Sequence, residues 1–336
     1  MKQLKIMLFA VLALCATLAL AGGAEKRLIV DTAFVAEAQK RGALLWDVRG
    51  VPEYRKGHIP GALNVGDIGK TLRYEHNEDY LPTPQIEKIL GDAGIDPSRE
   101  IIVYGDKADP YVYFGLFTLQ YFGANQAYVY HGGINDWKAA RKDVSDDPVK
   151  PVPVELDLKP RPELTVATDE MVSKLSSNVQ IVDARTPKEF SGEDIRAIRG
   201  GHIPGAVNIP FQKNWADPDT PAKLAKREVA NKEGMGLKSL DQLKSLYAKL
   251  DPEKETIVYC QSGVRAAESA AVLKDLGFKN VKVYDASWLG YANALSTPVE
   301  SATVFNVGQM NGKLDAMQRR IEAMERVLSE ILKAMK

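Results

Sequence analysis

The chain carries one pattern twice, and the duplication restricts it to two domains of one kind. The first copy runs Leu44-Leu45-Trp46-Asp47-Val48-Arg49, then Glu53-Tyr54, then Gly57-His58-Ile59-Pro60-Gly61-Ala62-Leu63-Asn64. The second runs Gln180-Ile181-Val182-Asp183-Ala184-Arg185, then Glu189-Phe190, then Gly201-His202-Ile203-Pro204-Gly205-Ala206-Val207-Asn208. Further on, Glu100-Ile101-Ile102-Val103-Tyr104 is echoed by Glu255-Thr256-Ile257-Val258-Tyr259, and a third short apolar run follows in each copy, at 127–130 and 281–284. Such runs alternate with helical stretches, the sequence sign of a parallel sheet covered on both faces. A length of 336 residues suits two α/β domains of ordinary size. Residues 141–164 contain Pro148, Pro151, Pro153, Pro160 and Pro162. These oppose helix and favour a stiff, extended linker, which places the domains at 25–140 and 165–300.

Between the apolar run ending at Tyr259 and a helix-like stretch at 266–276 lies Cys260-Gln261-Ser262-Gly263-Val264-Arg265. The unpaired N–H groups of a helix start favour an anion. With the cation Arg265 they favour thiolate over thiol, and the thiolate is the nucleophile. Gly263 permits a backbone conformation that a side chain would oppose. The loop therefore reads as a cradle for an anionic group bound to sulfur. The bland alternatives are a buried inert cysteine and a surface salt bridge at Arg265.

Lys plus Arg equals Asp plus Glu at 44 each, which leaves no electrostatic footprint for nucleic acid. Met1-Lys2-Gln3-Leu4-Lys5 is a short basic start, and residues 6–21 carry no charge. That stretch is short for a membrane span of about 20 residues but suits a secretory signal peptide, 1–21, with cleavage after 21 or 24. The expected location is the periplasm or another exported compartment. The rival is an uncleaved anchor facing the periplasm, the one case in which a membrane is involved. Cys15 would leave with the signal; the bulky Leu14 before it argues against lipoprotein processing. Cys260 would then be the single cysteine, unable to form an internal disulfide. One cysteine and the scattered His58, His76, His131 and His202 give no metal-ligand spacing.

At the C-terminus, Leu314, Met317, Ile321, Met324, Leu328, Ile331 and Met335 follow an unbroken 3-4 spacing. This predicts an amphipathic helix over 309–336, a candidate coiled coil with Arg320 and Glu325 at the g and e positions. It points to a homo-oligomer formed through 314–335, with a helix packed on its own domain as the alternative.

On the twin Asp-x-Arg, Glu-Phe/Tyr and Gly-His-Ile-Pro-Gly-Ala-x-Asn signatures, with Cys-x-x-Gly-x-Arg in the second half, the chain resembles a tandem-domain rhodanese. That is a sulfurtransferase family, and the likeness covers nearly all of residues 30–294. It implies a doubly wound parallel sheet in each half, with the active loop at the strand carboxyl ends. It also implies that Cys260 accepts a sulfane sulfur as a persulfide and passes it to a thiol or to cyanide, with no cofactor. Arg265 would bind the small anionic donor, and the backbone of Gln261, Ser262, Gly263 and Val264 would hold its charge. Asp183 and Arg185 would support the site. Because Asp47, Arg49 and Glu53 match Asp183, Arg185 and Glu189, a structural ion-pair network is the favoured reading for all six, and His58 and His202 read as turn histidines.

The first half departs from the family pattern: Tyr104-Gly105-Asp106-Lys107-Ala108-Asp109 puts glycine where the nucleophile belongs, so this domain is expected to be catalytically silent. Mercaptopyruvate-using relatives resemble Cys-Gly-Ser-Gly-Val-Thr in the loop, with arginine where Glu189 stands. That difference favours thiosulfate, a polysulfide or a protein persulfide as donor. Related phosphatases need five residues between cysteine and arginine; here four intervene. A non-catalytic periplasmic sulfur carrier or scaffold is the other alternative.

Overall fold

The computed structural model describes residues 27–304 and 306–334. The expected signal peptide, Cys15 and Met335 lie outside the described residues.

The first half holds five strands: β1 (Ile29–Val30), β2 (Leu44–Asp47), β3 (Leu63–Asn64), β4 (Ile101–Tyr104) and β5 (Ala127–Tyr130). They form one parallel sheet in the order β1-β5-β4-β2-β3, with Leu44 opposite Ile101 and Ile101 opposite Ala127. Every residue of β4 and β5 is buried, as expected for a sheet with helices on both faces.

In the second half, β6 (Gln180–Asp183), β8 (Val207–Asn208), β9 (Glu255–Tyr259) and β10 (Asn280–Val283) pair in parallel in the order β10-β9-β6-β8. The counterpart of β1 is reduced to a single parallel bridge between Thr165 and Val283. Two further strands, β7 (Arg199–His202) and β11 (Glu300–Val304), make an antiparallel pair, whose counterpart in the first half is a single antiparallel bridge between His58 and Ser145. Both halves are thus doubly wound α/β units.

Helix α1 (Pro110–Tyr121) follows β4, and helix α2 (Val264–Asp275) follows β9. Residues 112–119 of α1 are all buried, which matches a helix that is apolar all round. Against it lies α2, whose Ala266, Ala267, Ala270 and Ala271 are buried and small enough for close approach. One hydrophobic core consequently runs from Trp46, Phe114 and Phe117 in the first half to Val258, Ala270 and Leu273 in the second. Helix α3 (Ser287–Asn293) follows β10.

The chain ends in α4 (Val307–Ala334), 28 residues long and with no buried residue. Leu314, Met317, Ile321, Met324, Leu328 and Ile331 are all exposed, so this helix does not pack on its own domain.

Candidate active site

Cys260 stands where β9 ends, and Gly263 caps the start of α2 at φ +81. A β-carbon on Gly263 would meet Asp285 Oδ1 at 2.4 Å, so both conformation and space demand glycine.

Around the cysteine the loop carbonyls point outward, each held by a donor. The Cys260 carbonyl accepts from Trp288 N (3.0 Å), that of Gln261 from Leu289 N (2.9 Å) and that of Gly263 from Ala267 N (3.0 Å). The Ser262 carbonyl accepts from Arg73 Nη1 of the first half at 2.9 Å. Ser287 Oγ, at the start of α3, accepts the N–H groups of both Cys260 and Gly263 at 3.0 Å and donates to the Tyr284 carbonyl at 2.7 Å. Among the described residues, the N–H groups of Gln261, Ser262, Val264, Arg265 and Ala266 make no hydrogen bond. Unpaired donors converging at a helix start favour negative charge. The Cys260 side chain is free and buried, and it opens the loop that carries these donors.

Arg265 is held by Glu189 through both carboxylate oxygens, at 2.8 and 2.7 Å. Burial opposes the charge on Glu189, but the hydrogen bond and charge of Arg265, with help from Thr186, outweigh it and hold the carboxyl at about 2. Burial likewise opposes the charge on Arg265, yet Glu189 and the nearby Cys260 together push the guanidinium above its ordinary range. Arg196 reaches the same carboxylate at 3.2 Å.

Asp183 ends the neighbouring strand β6 and Arg185 lies just beyond it, where Arg185 Nη2 donates to Asp183 at 2.6 Å and to the Gly201 carbonyl at 2.8 Å. The pair recurs unchanged in the first half: Arg49 Nη2 donates to Asp47 at 2.6 Å and to the Gly57 carbonyl at 2.8 Å. Identical geometry in a domain without the cysteine marks these pairs as struts of the turn. Glu189 differs. It binds Arg265, whereas the ion pair of its counterpart Glu53 among the described residues is an exposed one with Lys56. The twin histidines also match, each stacked on the aromatic ring of its motif and bonded through Nδ1 to the Tyr54 or Phe190 carbonyl.

At the corresponding loop of the first half, a β-carbon on Gly105 would press on Val112 (3.0 Å) and Val48 (3.3 Å). Asp106 faces Arg49 at 3.8 Å and Lys232 at 3.4 Å, so a carboxylate of the chain already meets these cations.

Two contributors escape a motif search. Ser287 adopts φ +50, rare for serine. Its match in the first copy is Gly133, at φ +54, so Tyr284-Asp285-Ala286-Ser287 aligned with Tyr130-His131-Gly132-Gly133 is the signal that could have found it. The other, Arg73, has no such signal.

The model of the rhodanese-like domain matches residues 31–140 and 167–294. A thiosulfate sulfurtransferase of Corynebacterium glutamicum is 33% identical over 263 residues, covering 74% of this chain and 81% of the relative. One from Azotobacter vinelandii is 30% identical over 262 residues, covering 76% and 90%. Among solved structures, an anaerobic ergothioneine biosynthesis enzyme from Chlorobium limicola superposes with a TM-score of 0.68 at 23% identity, covering 81% of this chain and 70% of that one, and shares the fold. The duplicated fold and the single cysteine loop define a sulfur-handling α/β enzyme class. Within it, the chain belongs to the rhodanese family, as a tandem-domain sulfurtransferase.

Proposed function

We propose that this protein moves a sulfane sulfur from thiosulfate, or a related polysulfide or persulfide donor, to a thiol or cyanide through a persulfide on Cys260. The observation that carries this reading is the buried free thiol of Cys260 at the head of a loop whose five N–H groups are unpaired while its carbonyls bond to other partners. A thiolate there attacks the outer sulfur of thiosulfate; the S–S bond breaks and sulfite departs with its electron pair. Attack by the acceptor on the outer persulfide sulfur restores the thiolate. The curated relatives named for thiosulfate support the choice of donor. Glu189, where mercaptopyruvate-using relatives carry arginine, disfavours a keto-acid donor.

The reading includes export, on the strength of the leader at 1–21, which leaves Cys260 unpaired in an oxidising compartment. It includes self-association through the exposed helix α4, and a first domain that transfers no sulfur itself.

Thiosulfate should add about 32 Da, one sulfur atom, to Cys260, as read by mass spectrometry. Cyanide should then remove it at the steady-state rate. Full activity in Cys260→Ser would sink the assignment. A persulfide that forms but is never discharged to any small acceptor would identify a carrier instead.

A further inference from the structure

The loop carbonyls of Cys260 and Gln261 are held outward from within the second domain, by the N-terminal N–H groups of α3. That of Ser262 is held across the domain boundary. Arg73 lies 189 residues earlier in sequence, and its side chain is 1% exposed. Its place is fixed: its backbone bridges Tyr80, and its guanidinium sits over the Phe114 ring at 4.8 Å. Glu78 and Asp285 lie at 3.6 and 3.8 Å, beyond hydrogen-bond reach, so the short contact of this buried cation is the one to the loop.

That contact has a geometric consequence. The peptide between Ser262 and Gly263 is then pinned at both ends, its carbonyl by Arg73 and its N–H by Ser287.

We propose that Arg73, from the domain without the cysteine, is a positioning residue of the Cys260 loop. It keeps the Ser262 carbonyl turned away from the sulfur, so that the N–H groups and not a carbonyl oxygen meet the charge there. The first domain thereby takes part in sulfur transfer although it carries no nucleophile. The inference rests on Cys260 being the sulfur-accepting thiolate, as proposed above.

The test compares full-length wild type, Arg73→Met, Arg73→Lys and Lys274→Met. The last removes a different contact between the halves, Lys274 Nζ to Gln120 Oε1 at 3.3 Å. Two quantities are read: the rate of alkylation of Cys260 by iodoacetamide as a function of pH, and kcat and KM with thiosulfate. In Arg73→Met, kcat should fall about ten-fold or more, the loss expected of one charge-assisted hydrogen bond. KM should change little, and the alkylation midpoint should move to higher pH. Arg73→Lys should give a smaller displacement of the same sign, and Lys274→Met should resemble wild type. A wild-type midpoint and kcat in either Arg73 variant, shown folded by circular dichroism, would overturn the proposal. So would an equal loss in Lys274→Met, because Arg73 would then be serving domain docking. The alkylation profile needs no sulfur donor. If wild-type Cys260 takes no sulfur from thiosulfate while the midpoints differ as expected, the sulfur-transfer reading fails and the positioning role stands.

Discussion

Glu189 and Arg265 bind each other through two short hydrogen bonds, beside a cysteine whose anionic form would draw on the same guanidinium. The carboxylate thus competes with any anionic donor for Arg265. Glu189→Gln should weaken this hold and lower KM for thiosulfate by up to about ten-fold, with less effect on a neutral persulfide donor. Steady-state kinetics on both donors test it; unchanged KM values would mean that Arg265 serves the loop and not the donor. The pair also fixes an acid limit. With its carboxyl held at about 2, Glu189 contributes full stability above its ordinary value near 4.5, and the contribution is lost as pH falls toward 2. Melting temperatures of wild type and variant should therefore converge between pH 4.5 and 2.

Ser287→Ala deprives two buried N–H groups, of Cys260 and Gly263, of their common acceptor. Each buried donor left unpaired costs about 1–3 kcal/mol, so a clear fall in both kcat/KM and melting temperature is expected. Ser287→Gly loses the same bonds but removes the strain of φ +50. It should melt higher than Ser287→Ala while remaining equally slow. Equal rates in wild type and alanine variant would remove Ser287 from the site.

The first domain should resist conversion to an enzyme. A cysteine at Gly105 would crowd Val112 and Val48, and Asp106 already faces the local cations. Gly133 offers no hydroxyl where Ser287 stands in the other copy. The double variant Gly105→Cys, Cys260→Ser should show no thiosulfate turnover, and measurable turnover would show that the loop backbone alone suffices.

Glu268 is fully buried on α2, with Oε1 accepting from Trp215 Nε1 at 2.9 Å and Oε2 unpartnered. Burial raises its carboxyl to about 8, partly offset by the Trp215 bond. The folded state therefore binds a proton that the unfolded state has released. Stability from this group is intact below about 4.5 and is lost as pH climbs through 8, by about 1.4 kcal/mol per pH unit in that window. Glu268→Gln should raise the melting temperature at pH 8 and change it little at pH 5. The opposite trend in a pH series of melts would contradict the burial argument.

Helix α4 leaves Leu314, Met317, Ile321, Met324, Leu328 and Ile331 in solvent, a stripe of the kind that marks a partner surface. Truncation after residue 307 should reduce the mass seen by light scattering to one chain and leave Cys260 chemistry intact. A full-length protein that is already monomeric at micromolar concentration would contradict self-association.

The sequence showed most of the frame because the information there is local. The run Ile101-Ile102-Val103-Tyr104 forms its strand as written, and Gly263 sits at the helix cap that its position requires. Helix α2 begins at Val264, two residues earlier than its apolar stretch suggested, because a helix start is set by backbone geometry and not by periodicity. Strands β7 and β11 were missed; Gly200 and Gly201 carry no β-pattern, and the pairing partner lies about a hundred residues away. The match to Asp47, Arg49 and Glu53 places Glu189 in one ion-pair network with Asp183 and Arg185, yet its carboxylate binds Arg265 and Arg196, a choice made by tertiary packing. Arg73 illustrates the same limit, since no local rule links it to Ser262.

The core that passes without a break from Phe114 and Phe117 to Ala270 and Leu273 has a thermodynamic meaning. Each half keeps a smaller apolar cluster of its own, around Tyr54 and Trp137 in the first and Met171 and Trp288 in the second, but the larger core is shared, so the two should melt as one cooperative unit. Calorimetry should record a single endotherm whose calorimetric and van't Hoff enthalpies agree, and an isolated second half would expose the alanine face of α2 to water. The first domain therefore supports the second through shared packing, whether or not it performs any chemistry of its own.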